Sequence, residues 1–134
     1  MIEGLPDYKK EASITPYIAY NGIEIKEYDE GYCIGAVKIE DHHKNLLGIV
    51  HGGCVFTLAD TVAGYTGMTK GTIITTLNAS INYFHPVKDT EYLYCKGEIV
   101  KDGKTVTVVR TVIYGDKGET FADASFSLYN IGKR

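Results

Sequence analysis

Residues in the middle of the chain combine free hydrogen-bond donors with a carboxylate. His51-Gly52-Gly53 opens a run with helical spacing, and Asp60 lies within that run. The first amides of a helix lack intrahelical partners and lie at the positive end of its dipole, so they can bind a carbonyl oxygen or an anion. A carboxylate among apolar neighbours must be hydrogen-bonded, lie at an interface or act chemically. Together these groups suit nucleophilic attack on a polarised carbonyl.

The spacing of these groups indicates whether one chain can use both. At positions i, i+4, i+7 and i+11, four small or polar residues share one face of the predicted helix: Gly53, Thr57, Asp60 and Gly64. Asp60 lies about 10 Å from Gly53 along the axis, whereas a general base acts within ~3 Å of the reacting centre or through one water. An antiparallel helix from a second copy would bring its acid beside these amides, so the spacing favours a homodimer with shared sites.

The same region resembles a known family. The pattern N-x-x-G-x-x-H-G-G-x-x-x-x-L-A-D runs from Asn45 to Asp60, and the similarity extends from about Gly22 to Tyr129. It resembles the phenylacetic-acid-type (PaaI-like) branch of the hotdog-fold acyl-CoA thioesterases. The resemblance implies an α+β hotdog fold, in which one long central helix is wrapped by a curved, mainly antiparallel sheet of five to six strands. It also implies active sites shared between two subunits and, by analogy, a dimer-of-dimers tetramer.

The resemblance gives the helix start and the acid catalytic roles. The amides of Gly52 and Gly53 polarise the thioester carbonyl, and Asp60 from the partner subunit is a general base on water or a nucleophile that forms an anhydride. Each residue also has a structural alternative. The glycines suit a turn with an unusual backbone angle, and Asp60 suits a carboxylate that is satisfied across a dimer interface.

Three further residues are candidates for supporting roles. Asn45 corresponds to the family asparagine that positions the acyl carbonyl, although an ordinary loop asparagine is nearly as good an explanation. His51 mostly orients the loop in the family reading, and its imidazole is the main alternative to Asp60 as the base. Thr76 lies where relatives carry a hydroxyl that helps to hold water.

Substrate contacts are predicted from aromatic and basic residues. Tyr65, Tyr83 and Phe84 can line an aryl or acyl pocket, and core packing explains them equally well. Four cations near strand ends are candidates for binding the coenzyme A phosphates: Lys88, Lys101, Lys104 and Arg110. No separate cofactor is expected, because coenzyme A is part of the substrate.

Other features narrow the class of protein. The 134 residues, 44% of them hydrophobic and 23% charged, predict one globular domain over residues 1–134. The net charge of -3 argues against a nucleic-acid partner. The N-terminus lacks a signal-peptide pattern and no apolar run is long enough for a membrane, so we expect a cytoplasmic protein. His42 and His43 are predicted to be solvated loop residues rather than metal ligands. Cys54 is predicted to be a packing residue, with a nucleophile as the alternative.

The elements that must position these residues follow the order β-β-α-β-β-β-β. A loose or short helical lead over residues 1–14 and a short helix that begins at Pro16 precede the first strand. In the predicted strand from Thr72 to Tyr83, alternation places four residues on one face: Leu77, Ala79, Ile81 and Tyr83. The central helix, which carries Asp60, is predicted to be buried nearly all round.

Two other functions fit parts of the pattern. A non-catalytic acyl-CoA-binding module would use the same fold, but Asp60 beside H-G-G is more than binding requires. A hotdog hydratase or dehydratase typically pairs a catalytic histidine with an acid in different motifs, and the H-F-P-G type of loop is absent. A serine hydrolase is disfavoured because the chain has no G-x-S-x-G.

Overall fold

One long helix packs against a six-stranded antiparallel sheet in the computed structural model, which describes residues 4–134; the first three residues of the predicted lead lie outside this range. The helices are α1 (Tyr8–Ile14), α2 (Pro16–Tyr20) and α3 (Gly52–Met68). The strands are β1 (Ile23–Asp29), β2 (Tyr32–Lys38), β3 (Thr72–Tyr83), β4 (Tyr92–Asp102), β5 (Val106–Tyr114) and β6 (Thr120–Lys133). Their order across the sheet is β1-β2-β4-β5-β6-β3. The predicted α+β hotdog arrangement is confirmed.

The core lies between α3 and the inner face of the sheet. Val55, Leu58 and Val62 on α3 are fully buried, and Leu93 and Phe126 are among the sheet side chains of the same cluster. Burying a side chain of this size contributes about 1.5–3 kcal/mol, so α3 is held firmly in place. Within residues 4–134, no helix is long and apolar enough to span a membrane.

Two glycines of the sheet allow α3 to approach closely. A Cβ atom on Gly35 would lie 2.7 Å from Cγ2 of Val62, which is closer than packed atoms allow. A Cβ atom on Gly97 would collide with the Thr66 hydroxyl. Helix and sheet therefore fit together only because these positions lack side chains.

One side of α3 remains accessible, which corrects the prediction that the helix is buried nearly all round. Gly53 is exposed, and Thr57, Asp60 and Gly64 are half-buried. These are the small and polar residues whose spacing placed them on one face. We call this surface the open face of α3.

Strand β3 forms one edge of the sheet. It pairs with β6 on one side, and no described strand pairs with its other side. Its register shifts between Thr76 and Asn78, so the alternation is interrupted there. Leu77 is consequently 56% exposed and does not share a buried face with Ala79 and Ile81, contrary to the predicted pattern.

The N-terminal lead is helical and packed over residues 8–14. The Asp7 side chain caps α1 by accepting the N–H of Lys10 at 3.2 Å, and Tyr8 and Ala12 are fully buried. Arg134, at the other end of the chain, forms an ion pair with Glu11 of α1. Of the two predicted forms of this lead, the short helix is therefore the one found in residues 8–14.

We predict that Tyr8→Phe does not destabilise the protein. Burial raises the pKa of Tyr8 to about 12, and its hydroxyl has no hydrogen-bond partner among the described residues. An unsatisfied buried polar group costs about 1–3 kcal/mol, so removing it should leave the free energy of unfolding unchanged or raise it by about 1 kcal/mol in urea titrations. Tyr65→Phe is the matched control, because its hydroxyl interacts with Glu11 and Thr15 and its removal should reduce stability. A clear loss of stability in Tyr8→Phe would show that the hydroxyl has a partner.

Candidate active site

The start of α3 is fixed by His51, whose Nδ1 accepts the N–H of Gly53 at 2.7 Å. Because Nδ1 accepts, the neutral imidazole carries its proton on Nε2. A Cβ atom on residue 53 would lie 2.9 Å from this nitrogen. Gly53 is thus required by the cap, and its amide, predicted to polarise a carbonyl, is already bonded within the chain.

Gly52 differs from its neighbour, because its N–H has no hydrogen-bond partner among the described residues. The amides that follow Gly53, those of Cys54 and Val55, donate to the His51 carbonyl at 2.9 and 3.3 Å. Neither glycine has a positive φ, which excludes the explanation by an unusual backbone angle. A Cβ atom on Gly52 would make only ordinary contacts, 3.6 Å from the Tyr83 ring. Nothing within residues 4–134 therefore requires glycine here, and its absence of a side chain keeps the free N–H accessible.

Tyr83 lies against Gly52. Its hydroxyl donates a hydrogen bond to the Gly52 carbonyl at 3.0 Å, and partial burial raises its pKa. The peptide unit between Gly52 and Gly53 is consequently bonded at both its carbonyl and its N–H.

A pocket of about 250 Å³ adjoins the helix start. Its lining includes Asn45, Gly52, Val55, Tyr83 and Phe84. Asn45 Oδ1 accepts the N–H of the second residue after it at 2.9 Å, and its Nδ2 has no partner within residues 4–134. The pocket thus joins apolar walls to two uncommitted N–H donor groups, an arrangement that suits an acyl group with its carbonyl oxygen at one end.

The acid of α3 is held by the edge strand. Thr76 Oγ1 donates to Asp60 Oδ1 at 2.9 Å, and this bond joins residues 16 positions apart. Asp60 is half-buried on the open face of α3. Eight residues separate it from Gly52, about 12 Å along the helix axis. The acid therefore does not reach the pocket of its own chain.

The other predicted substrate contacts do not join this group. Tyr65 is buried against Tyr8, with ring centroids 4.8 Å apart, near the opposite end of α3. Lys104 lies in the β4–β5 turn, where its carbonyl accepts a side-chain N–H from Asn130. Tyr65 is therefore a core residue of this chain, and Lys104 is far from the start of α3.

Two of the other three candidate cations are also apart from one another. Arg110 donates to Asp123 at 2.9 Å from the middle of β5. Lys88 lines a different pocket, of about 290 Å³, together with Lys44. The predicted basic residues thus do not together form one phosphate-binding surface on a single chain.

His43 is buried, contrary to the prediction that both loop histidines are solvated. Its Nδ1 accepts the Glu40 N–H at 2.9 Å, and its Nε2 bonds the Asn21 carbonyl at 2.8 Å. Its own carbonyl accepts the His51 N–H at 2.8 Å. The three-residue spacing from Glu40 is that of a capping box, a signal that could have identified this role. Within residues 4–134, His, Cys, Asp and Glu side chains form no cluster able to hold a metal.

Cys54 is poorly suited to act as a nucleophile. Burial raises the pKa of its thiol to about 11, so the reactive thiolate is scarce at neutral pH. Its helix-start position does not offset this burial. The packing role predicted for Cys54 is the better explanation.

Comparison with known proteins identifies the family. Residues 47–122 match the model of the thioesterase superfamily. Acyl-coenzyme A thioesterase 13 of Mus musculus is 33% identical over 72 residues, which are 52% of this chain and 51% of that protein. The chain therefore spans about half the length of this curated relative.

Solved structures extend the similarity over nearly the whole chain. A hypothetical thioesterase from Streptococcus pneumoniae TIGR4, solved with coenzyme A, is 30% identical with a TM-score of 0.85, covering 93% of this chain and 98% of that one. Two variants of the S. pneumoniae protein place alanine at an aspartate and at a threonine, with the same separation as Asp60 and Thr76. The E. coli PaaI protein from the phenylacetic acid degradation operon shares the fold, at 22% identity, a TM-score of 0.88 and coverage of 95% of this chain and 92% of that one. The chain belongs to the thioesterase superfamily.

Proposed function

We propose that the protein hydrolyses the thioester of an acyl-coenzyme A to a carboxylic acid and free coenzyme A. The observation that carries this proposal is the Asp60–Thr76 hydrogen bond on the open face of α3. An aspartate and a threonine with the same separation are the two substituted positions of the S. pneumoniae thioesterase. The coenzyme A in that protein and the name of the mouse relative support an acyl-CoA substrate.

Groups at the start of α3 bind the thioester carbonyl. The free N–H of Gly52 and the Nδ2 group of Asn45 donate to the thioester oxygen and stabilise the negative charge that develops there. One such donor is typically worth about 10²–10³-fold in kcat. The apolar pocket beside them, with Tyr83 and Phe84 in its wall, suits a small aryl or fatty-acyl group.

Asp60 of a second copy of the chain activates the attacking water. Thr76 holds Oδ1, which leaves Oδ2 to accept a proton as water attacks the carbonyl carbon. The tetrahedral intermediate then collapses, the carbon–sulfur bond breaks, and the departing thiolate takes the proton from the Asp60 carboxyl. Asp60 thus acts as a general base and is regenerated in each turnover.

A homodimer is part of this proposal. The separation of about 12 Å between Gly52 and Asp60 of one chain exceeds the reach of a general base. The unpaired edge of β3 and the exposed apolar side chains on or beside it, Leu77 and Phe84, are surfaces that a second copy can cover. By analogy with the family, two such dimers are expected to form a tetramer.

We predict that Asp60→Asn lowers kcat for thiol release by about 10²-fold or more, because the amide cannot accept the proton from water. The measurement is steady-state release of free thiol from a panel of aryl- and fatty-acyl-CoA thioesters. Asp102→Asn is the matched control and should retain full activity, because Asp102 is an exposed acid that pairs with Lys70 and is not part of the pocket lining. Turnover that survives Asp60→Asn would make His51 the better candidate base. Tight binding of acyl-CoA by the wild type without any turnover would favour the sensing module.

The two glycines of the helix start are expected to respond oppositely to alanine. Gly52→Ala should keep or raise the melting temperature, since its Cβ fits and alanine restricts the unfolded chain. It should nevertheless lower kcat/KM by about tenfold or more, because the methyl group obstructs the approach of the carbonyl. Gly53→Ala should lower the melting temperature by disturbing the His51 cap, worth about 0.5–2 kcal/mol. Full activity in Gly52→Ala would contradict the role of this amide.

A further inference from the structure

Tyr83 makes a hydrogen bond that burial does not impose on it. The side chain is 52% exposed, so water could satisfy its hydroxyl. The hydroxyl instead donates to the Gly52 carbonyl at 3.0 Å, and its ring lies 3.6 Å from the position of a Cβ atom on Gly52. The contact therefore connects the end of β3 specifically to the helix start.

Side chains do not restrict the peptide unit that Tyr83 contacts. It lies between two glycines, the residue type with the greatest backbone freedom. His51 Nδ1 holds its N–H and the Tyr83 hydroxyl holds its carbonyl. Rotation of this unit would alter the ψ of Gly52 and the φ of Gly53 and displace Gly52 from the first turn of α3. The free N–H belongs to Gly52 and would move with it.

We propose that Tyr83 is a positioning residue that holds Gly52, and with it the free N–H, at the pocket. The inference rests on the proposed function only in that a thioester carbonyl is the group this N–H binds. Tyr83 acts through the Gly52–Gly53 peptide, and the hydroxyl, rather than the ring, carries the effect. A purely apolar pocket wall would not need the hydroxyl.

The same strand also positions the acid. Thr76 and Tyr83 both belong to β3, and their hydroxyls bond Asp60 and Gly52 of the same helix. Strand β3 thereby fixes the carbonyl-binding group and the base relative to one rigid element. Loss of the Tyr83 hydroxyl should loosen Gly52 and leave Asp60 unchanged.

The test compares Tyr83→Phe with wild type and with Tyr20→Phe, a control at a tyrosine that is 84% exposed. We expect kcat for acyl-CoA hydrolysis to fall roughly three- to tenfold, the value of one neutral hydrogen bond, while KM changes less than about twofold. Amide hydrogen exchange followed by NMR should show faster exchange at Gly53 in Tyr83→Phe and no change in Tyr20→Phe. Tyr83→Leu, which also removes the ring, should lower kcat at least as much.

Two outcomes would overturn the proposal. One is Tyr83→Phe with the wild-type kcat and the wild-type exchange rate at Gly53. The other is a rise in KM accompanied by a lower melting temperature, which would indicate a general packing role. The amide exchange separates this inference from the proposed function. Faster exchange at Gly53 supports the positioning role even if the wild type hydrolyses no acyl-CoA, and unchanged exchange overturns it even if Asp60→Asn abolishes turnover.

Discussion

The hydrogen bond from the Gly53 N–H to His51 Nδ1 determines what the helix start can do. This bond occupies the Gly53 amide and leaves the Gly52 amide as a free donor beside an apolar pocket. A helix normally leaves several amides unpaired at its beginning, and solvent or any anion can use them. Because the cap and the following amides are satisfied within residues 4–134, the start of α3 presents one free N–H at this point, on Gly52.

The rigidity behind this donor comes from the way α3 and the sheet fit together. Gly35 and Gly97 let the helix approach the sheet, and the buried side of α3 is held by close packing. Strand β3 hydrogen-bonds this helix at two points, from Thr76 to Asp60 on the open face and from Tyr83 to the Gly52 carbonyl at the helix start. The buried side of α3 thus stabilises the fold, and the groups that we propose for catalysis lie on other parts of the same helix. Preorganised donors of this kind need no rearrangement when charge develops on the substrate.

Local sequence patterns were sufficient for the elements of this fold. The alternation over Thr72–Tyr83 predicted the bounds of β3 as found, and the run after His51 predicted α3. Patterns could not predict the bulge at Leu77, because a register shift depends on the pairing of β3 with the distant strand β6. The burial of Tyr65 likewise depends on the packing of α1 over it.

The motif named candidate residues for the site but gave no information about the contacts between them. The motif indicated Asn45, Gly52 and Asp60, whereas it treated the two glycine amides as equivalent. Their difference arises from the direction of the His51 side chain, which spacing does not reveal. The burial of His43 involves Asn21, 22 residues away, and a contact of that range leaves no periodic signal.

The central claim is that Gly52 of one chain and Asp60 of another complete each site. The most direct measurement mixes two impaired variants, Asp60→Asn and Gly52→Ala, by co-expression and assays thiol release. In a mixed dimer one site carries both substitutions and the other carries neither, so random pairing should restore about a quarter of the wild-type activity. If the mixture is no more active than the two parents, Asp60 and Gly52 act within the same chain and the account of a shared site is wrong.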